Sequence, residues 1–95
     1  MDKNTEIEFL PGSKLTIVAG GYQGGQETKG IVLGVEKNRW GETVNVAVYE
    51  CHCEEVHYVE GFHRHSLEAD LRRGRLEGSL AHTTMTRPDG VVYGE

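Results

Sequence analysis

Between residues 14 and 59 the apolar side chains recur mostly at every second position, the period of a half-buried strand rather than a helix. Leu15, Ile17 and Ala19 fall on one face of a short segment, with Thr16 and Val18 on the other. Val44, Val46 and Val48 alternate with Asn45, Ala47 and Tyr49 and are expected to face inward. The run Glu55-Val56-His57-Tyr58-Val59 is short and rich in β-branched and aromatic residues. Turn formers bound these runs: Pro11-Gly12 before the first, Gly41 before the second, Gly61 after the third. Gly30-Ile31-Val32-Leu33-Gly34-Val35 is also strand-like, but its two glycines predict a bulge or a sharp bend.

Beyond residue 65 the pattern changes. Ser66–Arg73 fits two helical turns, with Ser66 as the cap and Leu67 and Leu71 on one side. Gly74 and Gly78 then interrupt, and Met85, Val91 and Val92 are sparse for a core. Arg87-Pro88-Asp89-Gly90-Val91 has the chemistry of a tight turn. The expected fold is therefore all-β, with about five short antiparallel strands and a flexible C-terminal tail that ends in a hairpin-like edge. Residues 1–11 read as an N-terminal extension, 12–70 as the folded domain, and 71–95 as a short helix or turn followed by the tail.

Two stretches carry a family resemblance. Gly12-Ser13-Lys14-Leu15-Thr16-Ile17-Val18-Ala19-Gly20, followed by Tyr22-Gln23-Gly24 and then Gly30-Ile31-Val32, resembles a divergent KOW motif of SH3-like barrels. In that motif a strand runs through a Gly-aromatic-x-Gly loop into a Gly-x-Val strand. The gap between Gly24 and Gly30 is longer than usual, and the lysine and arginine run of nucleic-acid-binding members is missing. Val48-Tyr49, Val56-His57-Tyr58 and Ser66-Leu67-Glu68 are similar to the closing segment of many such barrels. The resemblance implies a small SH3-like barrel over residues 12–70; it implies a fold and not a function.

Composition narrows the function classes. A chain of 95 residues makes one domain with a modest core. No apolar run approaches the length of a membrane span, and polar Met1–Asn4 lacks the order of a signal peptide, so a cytoplasmic protein is expected. The formal charge is −5 and unevenly spread. Residues 1–70 hold twelve acids against six Lys/Arg, whereas 71–95 hold four arginines against three acids. An acidic body disfavours nucleic acid as a partner and leaves Arg72, Arg73 and Arg75 as the candidate phosphate contacts.

The sharpest local anomaly is a cluster of soft ligands. Cys51-His52-Cys53 is followed by His57, His63 and His65, and Cys51, Cys53, His57, His63 and His65 form a candidate zinc site. Cys-x-Cys is tighter than the spacing of common zinc modules. A disulfide across one residue would be strained, and Glu50, Glu54 and Glu55 would raise a thiol pKa, so a reactive thiolate is not expected. Tyr22 in the Gly-rich loop and the Arg39-Trp40 pair are the candidate partner-binding residues, because Trp, Tyr and Arg dominate interface energies. The alternative for Trp40 is that it folds back over an open end of the barrel. No nucleophile–base–acid set is present, so no catalytic residue is assigned.

These features favour a small non-enzymatic module that binds another protein through its loops, of a size that suits a bacterial or phage accessory protein. Homo-oligomer formation stays open. The competing readings are a nucleic-acid-binding KOW-like domain and a zinc-binding structural or sensor domain; outside the zinc reading no cofactor is expected.

Overall fold

The computed structural model describes residues 7–19, 26–49, 55–74 and 81–94. Six strands and one helix follow one another: β1 (Lys14–Ala19), β2 (Gln26–Asn38), β3 (Gly41–Tyr49), β4 (Val56–His63), α1 (Arg64–Arg73), β5 (His82–Thr86) and β6 (Val92–Tyr93). They form one antiparallel sheet in the order β4-β3-β2-β1-β5-β6. Strands β4 and β6 are its edges, so the sheet does not close into the barrel expected from the sequence, and it has six strands rather than about five.

Helix α1 packs against β3 and β5 as well as β4, which it directly follows. Leu67 and Leu71, the pair expected to share one helical side, join Leu15, Val32, Val44, Val46, Val48 and Met85 in one core. Within this core the three valines of β3 all face inward, as their alternation predicted.

Cross-strand register explains how the glycines of β2 are used. Leu15 pairs with both Gly30 and Met85, so Gly30 lies in an inward-facing row between large side chains. A Cβ at residue 30 would overlap Val46 Cγ1 and sit 3.1 Å from the Ala47 carbonyl oxygen. Gly30→Ala is therefore expected to destabilise the fold by about 1–3 kcal/mol, through overpacking. A thermal melt should show the midpoint falling by at least about 4 °C; an unchanged midpoint would mean that Val46 moves aside freely. Further along β2 the register shifts between Val32 and Gly34, the bulge that the second glycine predicted.

The helix starts earlier than expected. Its N-cap is His63, without a side-chain capping bond, and not Ser66. Tertiary ion pairing anchors this end of the helix to β3. Arg64 is buried, with Nε 3.0 Å from Glu42 Oε2 on β3 and a terminal nitrogen 2.7 Å from Glu68 Oε2 one turn on. Arg72 reaches the other oxygen of Glu68 at 2.9 Å, and Arg73 pairs with Asp70 at 3.0 Å.

Two segments assigned to the periphery belong to the core. Ile7 and Phe9, placed in an N-terminal extension, are both buried. Gly12 N–H donates to the Val32 carbonyl and Val32 N–H to Ser13, which ties the approach to β1 onto β2. At the other end, residues 82–86 form β5 beside β1, where a loose tail was expected. The following turn is built as its sequence suggested: Arg87 N–H donates to the Val91 carbonyl, and the Arg87 guanidinium grips the Asp89 carboxylate.

That grip, chiefly its hydrogen bond, holds the Asp89 carboxyl below its ordinary 3.8 and raises Arg87 further above its usual range. A carboxylate depressed on folding contributes its stabilisation above the unfolded value and loses it as pH falls through the lower folded value. The turn is thus expected to be insensitive to pH near neutrality and to loosen only in acid below 3.8. The Val91 amide, which also donates to Asp89 at 3.2 Å, reports this by NMR. Its titration midpoint should lie below that of an unstructured aspartate and vanish in Asp89→Asn.

Candidate functional site

The β2–β3 hairpin extends beyond the core because Glu36, Lys37 and Asn38 continue the ladder with residues that stay exposed. Asn38 pairs with Gly41, which leaves Arg39 and Trp40 as a two-residue loop. The Asn38 side chain fixes this loop from both sides. Its Oδ1 accepts the Trp40 N–H at 2.9 Å, and its Nδ2 donates to Thr43 Oγ1 at 3.4 Å. Gly41, at φ 128°, completes the turn in a conformation that other residues rarely adopt.

Trp40 projects from this loop with 79% of its surface exposed, so it does not fold back over the core. The Arg39 guanidinium carbon stands 5.2 Å from the centre of the indole ring, within cation–π range. His63, paired with Thr43 on the neighbouring strand, lies at the base of the turn. A Cβ on Gly41 would come within 3.6 Å of its Nε2. The His65 ring is 5.8 Å from that of His63, tilted by 37°. One end of the sheet thus gathers an indole, a guanidinium and two imidazoles, all on exposed residues.

Residues assigned to separate hypotheses are therefore neighbours. Arg39 and Trp40 came from the partner-binding reading, His63 and His65 from the zinc reading. Tyr22, Cys51, Cys53 and Arg75 lie outside the described residues, as does the side chain of His57 on β4. Among the described residues no group of three or more potential ligands is placed to hold a metal ion. Arg72 and Arg73, the other candidate phosphate contacts, spend their guanidinium groups on Glu68 and Asp70 of their own helix. No described helix is long and apolar enough to cross a membrane.

The inner side of the same hairpin borders a cleft of about 370 Å³, lined by Ile7, Glu8, Phe9, Val35, Glu42 and Arg64. Its charged wall is the Arg64 guanidinium clamped between Glu42 and Glu68, which braces the start of α1 against β3. Sequence reasoning passed over Arg64. The signal available was the spacing of Arg64, Glu68 and Arg72 at successive i,i+4 steps, which marks a charged helix face without showing that its first member turns inward.

No protein-family model matches the chain, and neither a curated protein nor a solved structure matches it.

Proposed function

We propose that this chain is a non-enzymatic protein-interaction module of SH3-like architecture, which engages a partner protein through Arg39 and Trp40 at the tip of the β2–β3 hairpin. The observation that carries the reading is Trp40, the chain's single tryptophan, held 79% exposed on a turn that its own hydrogen bonds keep rigid. An indole contributes nothing to the fold from there, while a preorganised aromatic anchor loses little entropy on docking. The fitting partner presents an apolar slot with a carboxylate at its rim for Arg39. The architecture is supported by the β1–β4 meander and by the return of β5 to pair with β1.

The formal charge of −5 counts against phosphate contact as the main activity. Immobilised protein and a Trp40→Ala twin, exposed to the same host lysate, test the proposal. A protein retained only by the wild type, and unaffected by nuclease, supports it. Capture that disappears with nuclease or weakens steeply with salt would transfer the function to nucleic acid.

A further inference from the structure

Strand β4 is an edge of unusual composition. Among the described residues it pairs only with β3, and it runs for eight residues. An open edge presents backbone N–H and carbonyl groups that another extended chain can satisfy. Along it, Tyr58 is 53% and Val59 59% exposed. Tyr58 pairs with Val48 and Glu60 with Val46, so both lie on the inward face of the sheet. Val59 pairs with Ala47, and Ala47 with Ile31, which puts Val59 at the end of an apolar row on the outer face.

We propose that two copies of this chain pair edge to edge through antiparallel β4 strands, about a two-fold axis that passes through Val59. The choice of a second copy rests on self-complementarity, which an isologous interface demands. Residues directly opposite in an antiparallel pair share a face, so permissible registers differ by two residues. In the register centred on Val59, the two Val59 side chains meet and join the apolar rows of both sheets. Tyr58 of each copy then stands opposite Glu60 of the other, where the phenol O–H donates to the carboxylate. The first pair removes apolar surface from water, and the second gives each carboxylate a hydrogen-bond donor.

The register centred on Glu60 is excluded by two carboxylates facing one another. The one centred on Gly61 sets Glu60 against Phe62, whose ring is packed on the core. The one centred on Tyr58 sets Glu60 against Val56, which offers its carboxylate no partner, so the register centred on Val59 is the one that satisfies Glu60. An inward-pointing charge on an edge strand ordinarily prevents association; here its partner is supplied by the same sequence.

Analytical ultracentrifugation of the wild type over a dilution series should show the mass rising from 10.6 kDa toward twice that value. Val59→Lys places two ammonium groups directly opposite and should weaken the dimer at least about tenfold. Since Val59 is exposed, its melting temperature should match that of the wild type at concentrations low enough for both to be monomeric. Val59→Cys, with Cys51 and Cys53 replaced by serine, should cross-link to a disulfide dimer under mild oxidation. A wild type that remains monomeric up to about 1 mM overturns the proposal. So does a dimer that Val59→Lys leaves intact, or one that Val59→Cys fails to cross-link.

Discussion

Trp40→Ala will melt with the wild type, within about 0.5 kcal/mol, and will bind its partner about thirty-fold or more weakly. The two halves of this result have separate causes. The indole is 79% exposed and stands beneath the Arg39 guanidinium, so removing it opens no cavity. The turn keeps its shape, because the bond to Asn38 comes from the residue 40 backbone N–H and not from its ring. Binding loses an anchor of the size that costs about 2 kcal/mol or more when truncated at the centre of an interface.

As the chain's one tryptophan, Trp40 also reports its own docking. Its emission in the free protein should be that of a solvated indole, readily quenched by iodide. Partner binding should shift it to the blue and protect it. A partner that binds without moving this emission docks elsewhere, and Arg39 with Trp40 would then be no interface.

The periodicity of the sequence was most informative where one face of a strand is buried and the other is not. Val44, Val46 and Val48 read correctly because β3 has neighbours on both sides and the helix above one face. The bulge in β2 was legible because a glycine pair interrupts an apolar run, which few other devices explain. The reading failed where polar residues share in the burial. Thr83 and Met85 alternate into the core from β5, yet counting only apolar side chains left Met85 isolated. Arg64 was invisible as a core residue because its burial depends on Glu42, which lies on β3 and is distant in sequence. Ile7 and Phe9 did show a period of two, but two positions without a bounding turn on the N-terminal side were too few to register as part of the core.

The candidate site divides in the same way. Arg39 and Trp40 were legible as candidates by type and by their place in a turn, and the structure shows both exposed there. Whether the indole turned outward was undecided, since alternation does not extend through a turn. The two-residue connection settles it by projecting the loop past the last ladder pair. The proximity of His63 and His65 to that loop was hidden, because it follows from the register of β4 on β3 and from the helix that starts at residue 64.

Met85→Ala is expected to cost about 2–5 kcal/mol, the range for emptying a fully buried methionine site. Met85 has no exposed surface and pairs with Leu15, itself buried, at the junction of β1, β5 and α1. Few neighbours there can collapse inward. Leu15 is held in the sheet on both sides, and Leu67 and Leu71 are fixed by a helix whose first residue is clamped by two carboxylates. A domain of this length has about 5–14 kcal/mol in all, so the substitution removes a large share of it and should lower the melting midpoint by about 10 °C or more. Val92→Ala on β6, at a position 43% exposed, is the matched control and should shift the midpoint little. The pair separates two accounts of the C-terminal segment. If residues 81–94 were loosely attached, both substitutions would be nearly neutral. If β5 is a working strand of the core, only the methionine matters, and denaturant titration should show its loss as a lower midpoint with an unchanged slope.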